Sequence, residues 1–192
     1  DRLAALESKS TDLLRVGRQP AAYEDDEATA VLAGELGLSF EGRPPFGASD
    51  RESAQHLQDS LNRAKFLLAF STSVSPAPYT HPTKEYITGR WTDALASGVT
   101  VVGKVPNTTT VREILWDGAT INIDHTDARA GLAQVADAVS RWTPAQGEQQ
   151  LRQALQHLDW RHRFVQLCEA MGEVPASLTA DCETMRAQYV QR

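Results

Sequence analysis

Short apolar runs alternate with longer amphipathic stretches along the first two thirds of the chain. The runs "TDLLRVG" (11–17), "LSFEG" (38–42), "KFLLAFS" (65–71), "VTVVGKV" (99–105) and "ATINI" (119–123) are brief, and glycine or turn residues punctuate them. They read as strands. Between them, helical spacing predicts helices at 23–37, 49–64, about 83–97, 108–116 and about 127–141, followed by tail helices at about 144–171 and 176–190. Residues 1–10 read as a connector or the end of a helix. The nearly all-apolar run 65–71 suits the centre of a parallel sheet, where both faces are covered. Strands that alternate with helices imply right-handed crossovers. The expected fold is therefore α/β: a Rossmann-like parallel sheet of about five strands, with helices on both faces and a helical C-terminal tail. The expected division is a connector (1–10), the Rossmann-like unit (11–142), and a helical tail (143–192) that packs on it.

Local signals agree with this order. The acids of "YEDDEATAVLAGELG" cluster in its first turn, where the helix dipole favours them, and Gly37 is a natural stop. Ser49 followed by Glu52 forms a capping-box pattern. Ligands in such folds sit at the carboxyl ends of the strands, near the point where strand order reverses. The candidate ligand face is thus the set of loops after Gly17, Gly42, Ser71, Lys104 and Ile123. The loop 72–82 is the longest connection, and long loops in compact domains are commonly functional.

Composition narrows the classes. The 192 residues are 41% hydrophobic and 23% charged, with a formal net charge of -6. There is no basic stripe to suggest nucleic-acid binding. No apolar run approaches the ~20 residues of a membrane span. No leader peptide is visible at the start, and a first residue of Asp1 rather than Met points to a piece of a longer product. Cys168 and Cys182 form no C-x-x-C pattern, so a reducing cytoplasm is the expected location. The histidines show no zinc-ligand spacing, and no metal or cofactor is expected.

The chemistry concentrates in "YTHPTKEYITGRWTDALASGVTVVGK", residues 79–104. Tyr86, Ile87, Trp91, Ala94 and Leu95 form the expected buried stripe of one helix. Glu85, Gly89 and Asp93 share another face, with the two acids about 12 Å apart along the axis. Two carboxylates at that separation could hold two hydroxyl-bearing ends of one ligand. Gly89 would admit close approach, and a helix entered through Pro82 would offer free N–H groups to an anion. A solvated helix face would show the same spacing.

This stretch resembles the E-x7-E motif in the C-terminal, donor-binding domain of GT-B glycosyltransferases of the group-1/family-4-like kind. It also resembles actinobacterial glycosyltransferase-like proteins with a Y-T-H-P-T-x-E-Y-x-T-G-R-W block. The matching residues are Glu85, then Asp93-Ala94-Leu95-Ala96-Ser97-Gly98 and the valine-rich 99–102. The order of elements over 12–142 and the helical tail agree as well. The resemblance implies a nucleoside-diphosphate sugar as donor (a UDP-, GDP- or TDP-sugar), with Glu85 on the transferred sugar and Asp93 on the ribose. It implies a basic residue near the diphosphate, for which Arg18 beside Gly17 is the first candidate and Arg90 the second. Tyr79, Thr80 and His81 flank the same loop, and Lys84 follows it. It further implies an acceptor domain N-terminal to this one, so this chain alone is expected to bind donor weakly and to transfer nothing. The second acid is one methylene shorter than in the family, and Gly89 stands one place later than the usual glycine.

Other patterns carry less. Gly98 to Lys104 fits G-x-x-x-x-G-K, but its interior is a strand and Val105 follows the lysine. "EDDE" at 24–27 suits a helix start better than a metal site. Trp142, Trp160 and Phe164 are expected to pack the tail onto the sheet. Two other readings stay open: a sugar-nucleotide epimerase, with His81 as its local acid–base group, and a non-catalytic nucleotide-sugar-binding or scaffold module.

Overall fold

The computed structural model describes residues 2–189. Among these, the strands β1 (Thr11–Arg15), β2 (Phe40–Glu41), β3 (Ala64–Phe70), β4 (Thr100–Lys104) and β5 (Thr120–Asn122) form one sheet in the order β2-β1-β3-β4-β5. Every neighbouring pair is parallel, with Leu13 opposite Phe66 and Leu67 opposite Val101. The expected α/β class and sheet are therefore present. The order reverses between β1 and β3, which makes that junction the switch point.

The helices are α1 (Arg2–Glu7), α2 (Asp26–Glu35), α3 (Asp50–Arg63), α4 (Gly89–Ala96), α5 (Thr109–Ile114), α6 (Ala128–Ser140), α7 (Pro144–His157), α8 (Trp160–Met171) and α9 (Ala176–Tyr189). The pleat of β3 sorts its side chains into two core layers. Phe66, Leu68 and Phe70 join Leu13, Tyr23, Leu132 and Val135 on the α2/α6 side. Leu67 and Ala69 join Leu14, Leu61, Trp91, Leu95 and Val101 on the α3/α4 side. Gly103 in β4 lets the strands close up: it has φ +149°, and a Cβ there would stand 1.8 Å from the Ala69 carbonyl oxygen.

Caps explain several boundaries. The side chain of Asp25 accepts from Glu27 N and Ala28 N and starts α2, so "EDDE" is a helix start. Asp26 pairs instead with the buried Arg15 at 3.1 Å. Ser49 caps α3 as expected, but Glu52 reaches back one residue further, accepting from Ala48 N at 2.6 Å. Residues 100–104 form β4, so the G-x-x-x-x-G-K match lies in a strand.

Three expectations need correction. The helix expected at 83–97 spans only Gly89–Ala96. The helix expected at 144–171 is two, because Asp159 caps a new one by accepting from Arg161 N. Trp142 does pack against the core, whereas Trp160 and Phe164 on α8 are exposed. The tail attaches through α7 and α9: Leu151 and Leu155 pack with Met185, and α8 buries no residue.

Polar groups lock the N-terminal edge of the sheet. Lys9 Nζ donates to the carbonyls of Leu61, Ala64 and Ser97 at 3.1, 2.6 and 3.1 Å, at the ends of α3 and α4. Gln150 of α7 donates to Thr100 Oγ1 at 2.9 Å and accepts from Trp116 Nε1 at 2.8 Å. No described helix is long and apolar enough to cross a membrane.

Candidate functional site

At the carboxyl edge of the sheet, β1 ends in Arg15 and the chain turns through Val16-Gly17-Arg18. Gly17 has φ +77°, a backbone state open mainly to glycine. A Cβ at that position would lie 2.3 Å from Nη1 of Arg90, so the guanidinium of Arg90 occupies the space a side chain would need. Arg90 points inward from the first turn of α4. It donates to Phe70 O at 2.7 Å, Arg18 O at 3.3 Å and Val16 O at 3.4 Å. These bonds tie the end of β1 to the end of β3 across the switch point. Burial, then repulsion by Arg18 and Arg15, pulls the Arg90 pKa down to about 10, which leaves it charged at neutral pH. Arg90 thus shapes the Gly17-Arg18 turn from beneath.

Arg18 itself faces outward. Its Nε donates to Ser75 O at 3.3 Å. Its Nη1 donates to the Tyr79 hydroxyl, and its Cζ lies 4.9 Å from the centre of the Tyr79 ring. Beside it opens a cleft of about 590 Å³, walled by the Gly17-Arg18 turn, the segment 43–46 after β2, α3 and Tyr79. Arg43 and Phe46 belong to this wall. Phe46 is 83% exposed and Tyr79 79% exposed, so two aromatic rings stand at its rim, the Tyr79 ring with Arg18 against it. Neither Arg43 nor Phe46 stands out in the sequence, where "RPPFG" reads as a turn. The usable signal was an arginine and an aromatic ring within a loop that follows a strand on the ligand face.

The two acids are not on one helix. Glu85 precedes α4, whose N-cap is Thr88. Its Oε1 accepts from the Ser71 hydroxyl and its Oε2 from Asn107 N at 3.0 Å. Those tertiary bonds join the loops after β3 and β4 and hold residue 85 away from a helical path. Hydrogen bonds from Ser71 and Ser73, then from Asn107, keep its carboxyl below the ordinary carboxylate range despite some burial. Glu85 is therefore an ionised acceptor at the carboxyl edge. The 12 Å helical ruler between the acids does not apply.

Asp93 sits on α4, exposed, and Gly89 lies one turn above it, where a Cβ would be in ordinary contact at 3.5 Å from Oδ2. Asp93 lines a second groove of about 530 Å³ that also takes in Lys9, Gln58, Asn62 and Arg163, toward the N-terminal edge. Partial burial there raises its pKa above the ordinary aspartate value. The two grooves share no lining residue: Leu57 and Arg90 line the first, and Gln58 and Asp93 line the second. Arg90 and Asp93 are about 4.5 Å apart along the helix axis.

The remaining candidates are turn residues. Thr80 Oγ1 exchanges bonds with the backbone of Ala77 at 2.9 and 2.8 Å. His81 Nδ1 accepts from Thr83 N and Lys84 N at 3.1 and 3.0 Å, so it caps a turn. Lys84 is exposed. Tyr86 is 40% exposed rather than buried, while Trp91, Ala94 and Leu95 form the buried stripe. Pro82 lies outside α4, so it does not open that helix. Among the described residues, no group of three His, Cys, Asp or Glu could hold a metal ion.

The structure thus brings Gly17, Arg18, Tyr79 and Arg90 together around one cleft, with Glu85 at the same edge, and leaves Asp93 in a separate groove. No protein-family model matches the chain, and no curated protein matches its sequence.

Proposed function

We propose that this chain is the donor-binding domain of a glycosyltransferase and holds a nucleoside-diphosphate sugar at the carboxyl edge of the sheet. The observation that carries the reading is the cleft at the switch point, with the outward Arg18, Arg43 and two exposed aromatic rings on its walls. Arginine guanidinium groups suit phosphate oxygens because they donate in a planar fork. The ring of Phe46 offers a stacking face to a base. Glu85 accepts two bonds but retains lone pairs for sugar hydroxyls, since a carboxylate has about four acceptor sites. Asp93 lines the other groove, so the ribose role that the resemblance gives it has no support from its position.

In the transfer itself, the bond from the sugar's anomeric carbon to the diphosphate oxygen breaks. A bond from the acceptor oxygen to that carbon forms, and the acceptor's proton passes to the departing diphosphate, which leaves as the nucleoside diphosphate. This domain's contribution is positive charge at the departing diphosphate, fixed in place before the reaction. The acceptor comes from a second domain. No observation favours the epimerase: His81 is an exposed residue whose Nδ1 caps a turn.

A thermal-shift panel of UDP, GDP, TDP, ADP and CDP with their sugar conjugates tests this. A ligand at ~100 times its dissociation constant stabilises by about 2.7 kcal/mol. The expected result is a shift with one base that is lost in Arg18→Ala. No shift with any nucleotide, in a folded chain, would refute the proposal.

A further inference from the structure

The loop between β3 and α4 is tied to the rest of the molecule in an uneven way. Its two ends are anchored: Ser71 donates to Glu85, and Thr72 Oγ1 lies 3.5 Å from Lys84 O. Its middle, 76–83, bonds mainly to itself through Thr80 and His81. Among the described residues, the tie from this middle segment to another element is Tyr79, whose hydroxyl accepts from Arg18. The Tyr79 ring is 79% exposed, so little packing supports that tie. Pro76, Pro78 and Pro82 stiffen the segment, which makes it move as a strap rather than as a coil.

Arg18 is also the outward cation of the cleft. An anion in the cleft and the Tyr79 hydroxyl would call on the same N–H groups. A charge-assisted, forked bond to phosphate is stronger than a bond to a neutral phenol. We propose that Tyr79 is a displaceable stand-in for the ligand: in the empty domain it occupies Arg18, and a diphosphate takes Arg18 over and frees the strap 76–83. The inference rests on the anion-binding reading of Arg18. It makes Tyr79 a residue that sets affinity by competition, and it couples occupancy of the cleft to the loop that leads into Glu85.

The test uses inorganic pyrophosphate as the probe, by calorimetry and by hydrogen exchange on the whole chain. Tyr79→Phe keeps the ring over Arg18 and removes only the competing hydroxyl at an exposed position, and a melting curve checks that the variant is folded. Tyr79→Phe is expected to bind pyrophosphate about three- to tenfold more tightly, which corresponds to one hydrogen bond released from competition. Exchange over 76–83 is expected to speed up when pyrophosphate binds the wild type. If Arg18→Ala weakens binding but Tyr79→Phe matches wild type, the exchange idea fails and the anion site stands. If Arg18→Ala binds as well as wild type, or no form binds pyrophosphate, the anion site and the exchange both fail.

Discussion

Lys9 carries an ammonium group into the N-terminal edge of the sheet and spends it on main-chain carbonyls where α3 and α4 end. A cation belongs there, because helix C-termini leave carbonyls unpaired and carry partial negative charge. Replacing it with Met keeps the stem and strands the carbonyls, so Lys9→Met should cost about 2–3 kcal/mol in denaturant unfolding near neutral pH. Burial pulls the Lys9 pKa from 10.5 down to about 8. Between those values the unfolded chain binds more protons than the folded one, so stability rises with pH. Wild type should therefore gain on Lys9→Met as pH climbs from about 8 to 10.5, with no such change below. A constant gap across that window would contradict the assignment. Arg18 and Arg90 show what sequence leaves hidden at this scale. Both lie near the expected site, yet Arg90 turns inward to three carbonyls and Arg18 outward to the cleft. That difference depends on the space left by Gly17, which spacing alone does not reveal.

At the scale of elements, the strands were legible because each is an apolar run with turn residues on both sides. The buried face of α4 was partly legible too, since Trp91, Ala94 and Leu95 recur at helical spacing. Its start was not. Glu85 bonds to Ser71 and Asn107, far away in sequence, and those bonds override the local helical pattern over 83–88. The split between α7 and α8 was missed for a local reason: the cap at Asp159 is one residue inside a continuous amphipathic pattern. β4 offers the sharpest test of the sheet. With a Cβ of residue 103 placed 1.8 Å from Ala69 O at φ +149°, Gly103→Ala combines a backbone clash with a strained conformation. It should cost more than about 3 kcal/mol or prevent folding. A fully stable variant would mean that β3 and β4 do not pair in this register.

Across the whole molecule, two features bear on how the domain works. The carboxyl edge gathers Arg18, Arg43, Arg90 and Lys104 on a chain whose net charge is -6. Positive groups at that edge of an acidic protein would favour an anionic ligand there. On the other side, Trp160, Phe164, Leu167 and Met171 line one stripe of α8 and remain uncovered, Trp160 at 74% exposure. An exposed apolar stripe of this kind commonly marks a contact surface. The parallel sheet was legible from the order of elements, but the place where its strand order reverses was not. Which loops build the cleft was not, because Arg43 and Phe46 meet Arg18 only through the pairing of β1 with β2.

The proposed function depends above all on a nucleoside diphosphate binding at the switch point through Arg18. Calorimetric titration of the tightest nucleotide into wild type, Arg18→Ala and Arg163→Ala tests it most directly. Arg163 lines the other groove and serves as the control. The account predicts at least a tenfold loss of affinity in Arg18→Ala, about 1.4 kcal/mol, and none in Arg163→Ala. Unchanged affinity in Arg18→Ala, or a loss confined to Arg163→Ala, would contradict it.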